Sequence, residues 1–178
     1  MNPFELFQEL KPRILEDKVF MENLRLYAFH DRRDLVRQGR EGTLPYLGTG
    51  TNNTHYRIGN IGDLWLASRA FIQGLDEKDS IQEYENYIGQ AILYYTQGKR
   101  VPVVCGPVLA RSGKHSKYFL LLEDLTAGGT ADFRPARRSG EISGFINDVR
   151  VYHDFDDDSL EYLPRNYLAE DKLLILTE

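Results

Sequence analysis

The chain has 178 residues, 42% of them hydrophobic and 28% charged, with a formal net charge of −5. That length suits one well-buried domain, the composition excludes general disorder, and the acidic balance argues against sequence-independent binding to nucleic acid. A lone cysteine, Cys105, rules out an internal disulfide. Met1-Asn2-Pro3-Phe4-Glu5 lacks the basic head of a secretory signal, and no apolar run approaches the roughly eighteen residues of a membrane span. A cytoplasmic protein follows, or one exported by a bacterial injection route. Arg134, Arg137 and Arg138 form a compact basic cluster, expected to be a solvated loop.

Phe4, Phe7 and Leu10, then Ile14, Leu15, Val19, Phe20 and Leu24, have the spacing of amphipathic helices, and Pro12 stands where a second helix would begin. Asp31 to Gln38 reads as a short helix closed by Gly39, after which Leu44 to Ile58 turns extended. Leu47 to Ile58 has the outline of a strand, a glycine turn and a returning strand. Ile61 to Phe71 suits a third strand if Gly59 to Gly62 is a turn, and suits a helix by its alanine and leucine content.

The spacing predicts a helix over 81–97, with Ser80 and Glu83 as a capping box and Gly98 as C-cap. Ile81, Tyr84, Ile88, Ala91, Ile92 and Tyr95 form its apolar stripe, and Glu85 projects from the stripe's edge, where a carboxylate needs a cation. Val101 to Leu109, Tyr118 to Leu125, Ile142 to Tyr152 and Lys172 to Leu176 each read as a strand. The fold class is therefore α+β, a small antiparallel sheet with one long helix. The chain is expected to be one domain, with a helical segment over 1–42, a sheet-bearing part over 43–126 and a reduced remainder over 127–178.

Gly48-x-Gly50 followed by Asn52-Asn53, the stretch Leu66-Ala67-Ser68-Arg69, the run Tyr118 to Leu125 and Val149 to Asp157 occur in one order along the chain. This succession resembles the small lobe of the protein-kinase-like fold, in the aminoglycoside phosphotransferase and choline kinase branch, over roughly 44–158. The resemblance implies a loop over ATP phosphates built by Gly48, Gly50, Thr51, Asn52 and Asn53, since glycines let backbone amides approach phosphate oxygens. It implies that Arg69 grips the phosphates and that Glu85 holds Arg69 in place. It also implies an adenine-binding segment around Glu123 and Leu125, pairing through backbone groups, and Mg²⁺ held by Asp154 with Asp156 or Asp157.

Two departures accompany the likeness. Arginine stands where the family has lysine, and its planar fork is no isostere of an ammonium group. The family's catalytic loop, His-x-Asp with an asparagine five residues on, has no counterpart; Glu141 in Ser139-Gly140-Glu141-Ile142 is the nearest candidate for the base. Read without the resemblance, the glycine turn is a hairpin turn, Glu123-Asp124 is where a buried strand meets solvent, and Asp154 to Asp158 is a solvated acidic turn or, with Ser159, a helix cap.

Two functions follow. One is a compact ATP- and Mg²⁺-dependent phosphotransferase acting on a protein or small-molecule hydroxyl. The other is an inactive kinase-like module that binds another protein. Neither calls for nucleic acid or a membrane, and the oligomeric state is not legible. His30, His55, His115 and His153 lack zinc-site spacing, and no Gly-x-Ser-x-Gly elbow occurs. Leu26-Tyr27-Ala28-Phe29-His30 resembles the opening strand of NAD-dependent toxin transferases, a minor alternative.

Overall fold

The computed structural model describes residues 1–30, 32–37, 39, 44–49, 53–71, 77–126, 133–135, 142–155 and 166–178. Helix α1 (Pro3–Glu16) starts in a full capping box: Asn2 accepts the Glu5 N–H at 2.9 Å and Glu5 accepts the Asn2 N–H at 3.0 Å. Pro12 lies inside this helix rather than at the head of the next one. The break falls at Asp17, whose N–H closes α1 on Arg13 and Ile14 and whose carboxylate caps α2 (Lys18–Phe29) at the Phe20 N–H. The apolar face of α1 runs across Pro12 through Phe7, Leu10 and Ile14, so tertiary packing overrides the local breaker. A third helix, α3 (Arg32–Arg37), is followed by Gly39 at φ 69°.

Strands β1 (Tyr46–Thr49), β2 (Asn53–Ile61) and β3 (Leu64–Phe71) form a meander, and the 61–71 ambiguity resolves as strand. Its second turn sits at Gly62-Asp63, with Gly62 at φ 59°, whereas Gly59 stays inside β2 beside a bulge. Helix α4 (Glu77–Thr96) begins earlier than the spacing predicts, so Ser80 lies within the helix and is not its cap. Its C-terminus ends as expected. Gly98 takes φ 78°, its N–H bonds Tyr95 O, and the Lys99 N–H reaches back to Tyr94 O.

Strands β4 (Cys105–Ser112), β5 (His115–Glu123) and β9 (Leu174–Thr177) complete a six-stranded sheet of order β1-β2-β3-β5-β4-β9, antiparallel except where β9 joins β4. A second sheet holds β6 (Phe133–Pro135), β7 (Ile142–Ile146) and β8 (Val149–Asp154). The stretch 142–152 is therefore a hairpin and not one strand. Asn147 and Asp148 turn it at φ 49° and 65°, the left-handed pair that a two-residue hairpin turn needs. The architecture is α+β with a mainly antiparallel sheet.

The large sheet is packed on both faces. On one, α1 and α2 cover Leu66, Ala70, Val108, Phe119 and Leu121 with Phe7, Ile14, Phe20 and Leu24, so the N-terminal helices belong to the principal core. The approach is close at Gly106, where a Cβ would fall 2.0 Å from the Phe7 ring. On the other face α4 sets Tyr84, Tyr87, Ile88 and Ala91 against Cys105, Leu120, Leu122 and Phe155. Tyr87 replaces the predicted Tyr95, which is exposed.

Candidate functional site

Cross-strand partners in a sheet point to the same side, so the register defines which side chains share the α4 face. One row runs His55, Arg69, Leu120, Pro107, and the next runs Arg57, Ala67, Leu122, Cys105. Helix α4 covers the β4–β5 end of these rows. At the β2–β3 end His55, Arg57 and Arg69 share that face.

Arg69 is held from α4, though not by Glu85. Its guanidinium lies over the Tyr87 ring at 4.5 Å, and among the described residues no Arg69–Glu85 ion pair is present. Glu85 instead neighbours Tyr167, where its charge, after burial, helps push the phenol's pKa up. Arg69 also faces Cys105: burial drives that thiol's pKa well up, and the guanidinium pulls it partway back.

Tyr87 reaches further. Its hydroxyl donates to His153 O at 2.8 Å, and its ring packs on Phe155 at 5.0 Å. The residue between those two is Asp154, the last of β8. One tyrosine therefore touches Arg69 and both neighbours of Asp154, the His153 carbonyl and the Phe155 ring. Tyr94 adds a second contact to Phe155, at 4.8 Å.

The end of β5 differs from expectation in what its side chains do. Glu123 accepts from Arg100 Nη2 with both oxygens, at 2.6 and 2.7 Å, and from the Val103 N–H at 3.1 Å. The Asp124 side chain, 1% exposed, takes Arg57 Nε at 2.6 Å and also accepts the Thr126 N–H and hydroxyl, while Arg57 stacks over Trp65 at 5.6 Å. Both acids are thus committed to arginines, in charge-assisted bonds that fix the β5 terminus rigidly. Leu125 follows as a half-buried turn residue.

Elsewhere on the sheet, Gly48 lies next to the end of β1 opposite His55, and Asn53 opens β2 opposite Phe71. The Asn53 amide oxygen is buried and has no hydrogen-bond partner among the described residues. Gly50, Thr51, Asn52, Glu141 and Asp156 lie outside the described residues, as do the Asp154 side chain and the side chains of the Arg134, Arg137 and Arg138 cluster. Among the described residues no trio of His, Cys, Asp or Glu converges as a metal set. Leu26 to Phe29 is helical, which removes the strand on which the NAD-transferase likeness rested.

Tyr87, Arg57 and Arg100 carry the geometry and were not singled out by sequence reasoning. A signal existed for the first: Tyr87 falls three or four places from Tyr84, Ile88 and Ala91 and so shares their face. Comparison of the chain with family models, curated proteins and solved structures finds no match in any of the three.

Proposed function

We propose that the protein is a compact ATP- and Mg²⁺-dependent phosphotransferase with a kinase-like small lobe, acting on a protein or small-molecule hydroxyl. The observation that carries this reading is the Tyr87 junction, in which Tyr87 of α4 touches Arg69 on β3, the His153 carbonyl and the Phe155 ring, the two neighbours of Asp154. The chain order of strand, glycine turn, strand, arginine strand, helix and two further strands accords with it. Arg69 would donate to the nucleotide phosphates, the amides around Gly48 to Asn53 would approach their oxygens, and the backbone around Glu123 to Leu125 would meet the base. Asp154 and Asp156 would hold Mg²⁺, which supplies charge neutralisation when bound. Glu141 would take the proton of the acceptor hydroxyl as that oxygen attacks the γ-phosphorus and ADP leaves. Little covalent chemistry is asked of the protein; alignment and electrostatics do the rest.

Thermal melting with ATP and Mg²⁺ tests the reading. At a ligand concentration near 100 Kd the gain is about 2.7 kcal/mol, or roughly 5–10 °C for a chain of this size. Asp154→Ala should abolish the metal-dependent part, and radiolabel should pass from ATP to an added acceptor or to the protein itself. A melting curve indifferent to nucleotide overturns the proposal. It would instead support the second reading, an inactive interaction module, which the arginine in place of lysine and the lack of an Arg69–Glu85 ion pair among the described residues favour.

A further inference from the structure

We propose that Arg100 is the positioning residue that couples the end of β5 to β8, and so fixes the place and angle of the strand end whose last residue is Asp154. The inference rests on the phosphotransferase reading of that site. Arg100 follows the α4 C-cap and touches both sheets, β8 through its main chain and β5 through its side chain. Its carbonyl accepts the Tyr152 N–H at 2.8 Å, and it forms an isolated parallel bridge with Val151. Its guanidinium meanwhile holds both oxygens of Glu123 at 2.6 and 2.7 Å and bonds its neighbour's carbonyl at Val101.

Glu123 is the register partner of Leu66, three residues before Arg69 on β3. A continuous set of bonds therefore runs from Tyr152, two residues before Asp154, through Arg100 and Glu123 to the strand that carries Arg69. The Tyr87 junction supplies the other tie, at His153 and Phe155. One attachment point would leave β8 able to pivot, whereas two attachments on either side of the strand's end fix both its place and its angle. The side chains of the pair are only 32% and 16% exposed, so water competes weakly for the tie.

The test uses Arg100→Leu, which removes the fork and keeps the main-chain bond, and Glu123→Gln, which keeps the shape and weakens the same tie without touching β8. Hydrogen exchange at residues 150–154 should speed up about tenfold in both variants. The Mg²⁺ concentration for a half-maximal ATP-dependent melting shift should rise about tenfold in both. Arg100→Lys, with one donor head left, should fall between. Arg111→Ala, which breaks the exposed pair with Glu170, should change neither readout.

If Arg100→Leu does not fold, the isosteric Glu123→Gln carries the test. Unchanged exchange at 150–154 in Glu123→Gln overturns the coupling. Faster exchange with an unchanged Mg²⁺ requirement also overturns the proposal, because the tie would then be structural only. A wild-type protein without any nucleotide response sinks the phosphotransferase reading separately, and Arg100 loses its positioning role with it.

Discussion

Lys117 has no carboxylate partner among the described residues: it lies between α2 and β5, its Nζ donating to Tyr27 O at 3.1 Å and standing 3.8 Å from the centre of the Tyr27 ring. Burial lowers its pKa from 10.5 to about 8. Because the folded value is the lower one, the unfolded chain binds the extra proton between those two pH values. Stability must therefore rise with pH through that window, with the whole penalty present below about pH 8. The gap corresponds to about 3 kcal/mol at 1.36 kcal/mol per pH decade. Lys117→Met keeps the length and removes the charge. Urea unfolding of both proteins from pH 6.5 to 10.5 should show the variant more stable by up to about 3 kcal/mol near pH 7, with the advantage fading towards pH 10.5. Tyr27, whose own pKa burial raises to about 12, is present in both and cancels in the difference. A stability difference that stays constant across that range refutes the reasoning.

Gly106→Ala should cost at least about 3 kcal/mol in denaturant unfolding, since a Cβ 2.0 Å from the Phe7 ring forces α1 off the sheet; Phe7→Ala in the same chain should recover part of that loss. The Arg57–Asp124 pair should respond asymmetrically. Arg57→Met strands a fully buried carboxylate and should cost about 3–5 kcal/mol, whereas Asp124→Asn leaves a partly exposed arginine that can reach water and should cost roughly half as much, read from urea midpoints. Asp148→Gly should be neutral or raise stability by up to about 1 kcal/mol, because glycine takes φ 65° without the Cβ penalty; a loss would contradict the strained-turn account.

What was legible in the chain was mostly local. The C-cap at Gly98 and the short helix before Gly39 depend on backbone preferences that neighbouring residues carry, and both appear in the fold. Pro12 and Ser80 misled for a common reason. Each is a local boundary signal overridden by a helix whose buried face continues past it. The 142–152 hairpin was hidden because Asn147-Asp148 lacks the glycine that usually announces such a turn, so its alternating apolar residues read as one strand. The ion pairs at β5 were out of reach for a different reason: Arg57 lies 67 residues from Asp124 and Arg100 lies 23 from Glu123, and sequence spacing says nothing about which cation a sheet will deliver.

Arg69 shows how one residue choice entails another. Beside a buried thiol and an apolar row, a glutamate pressed against the sheet would lose its hydration, a cost that a single ion pair repays poorly. An aromatic ring face has little hydration to lose and still attracts a cation. A flat guanidinium can lie parallel to such a ring while its N–H groups point sideways in its own plane; an ammonium head has no such division between face and edge. The arginine on β3 and the tyrosine two places beyond Glu85 are therefore a matched pair. On that account Arg69→Lys should loosen the contact with Tyr87, because an ammonium head offers the ring no flat face.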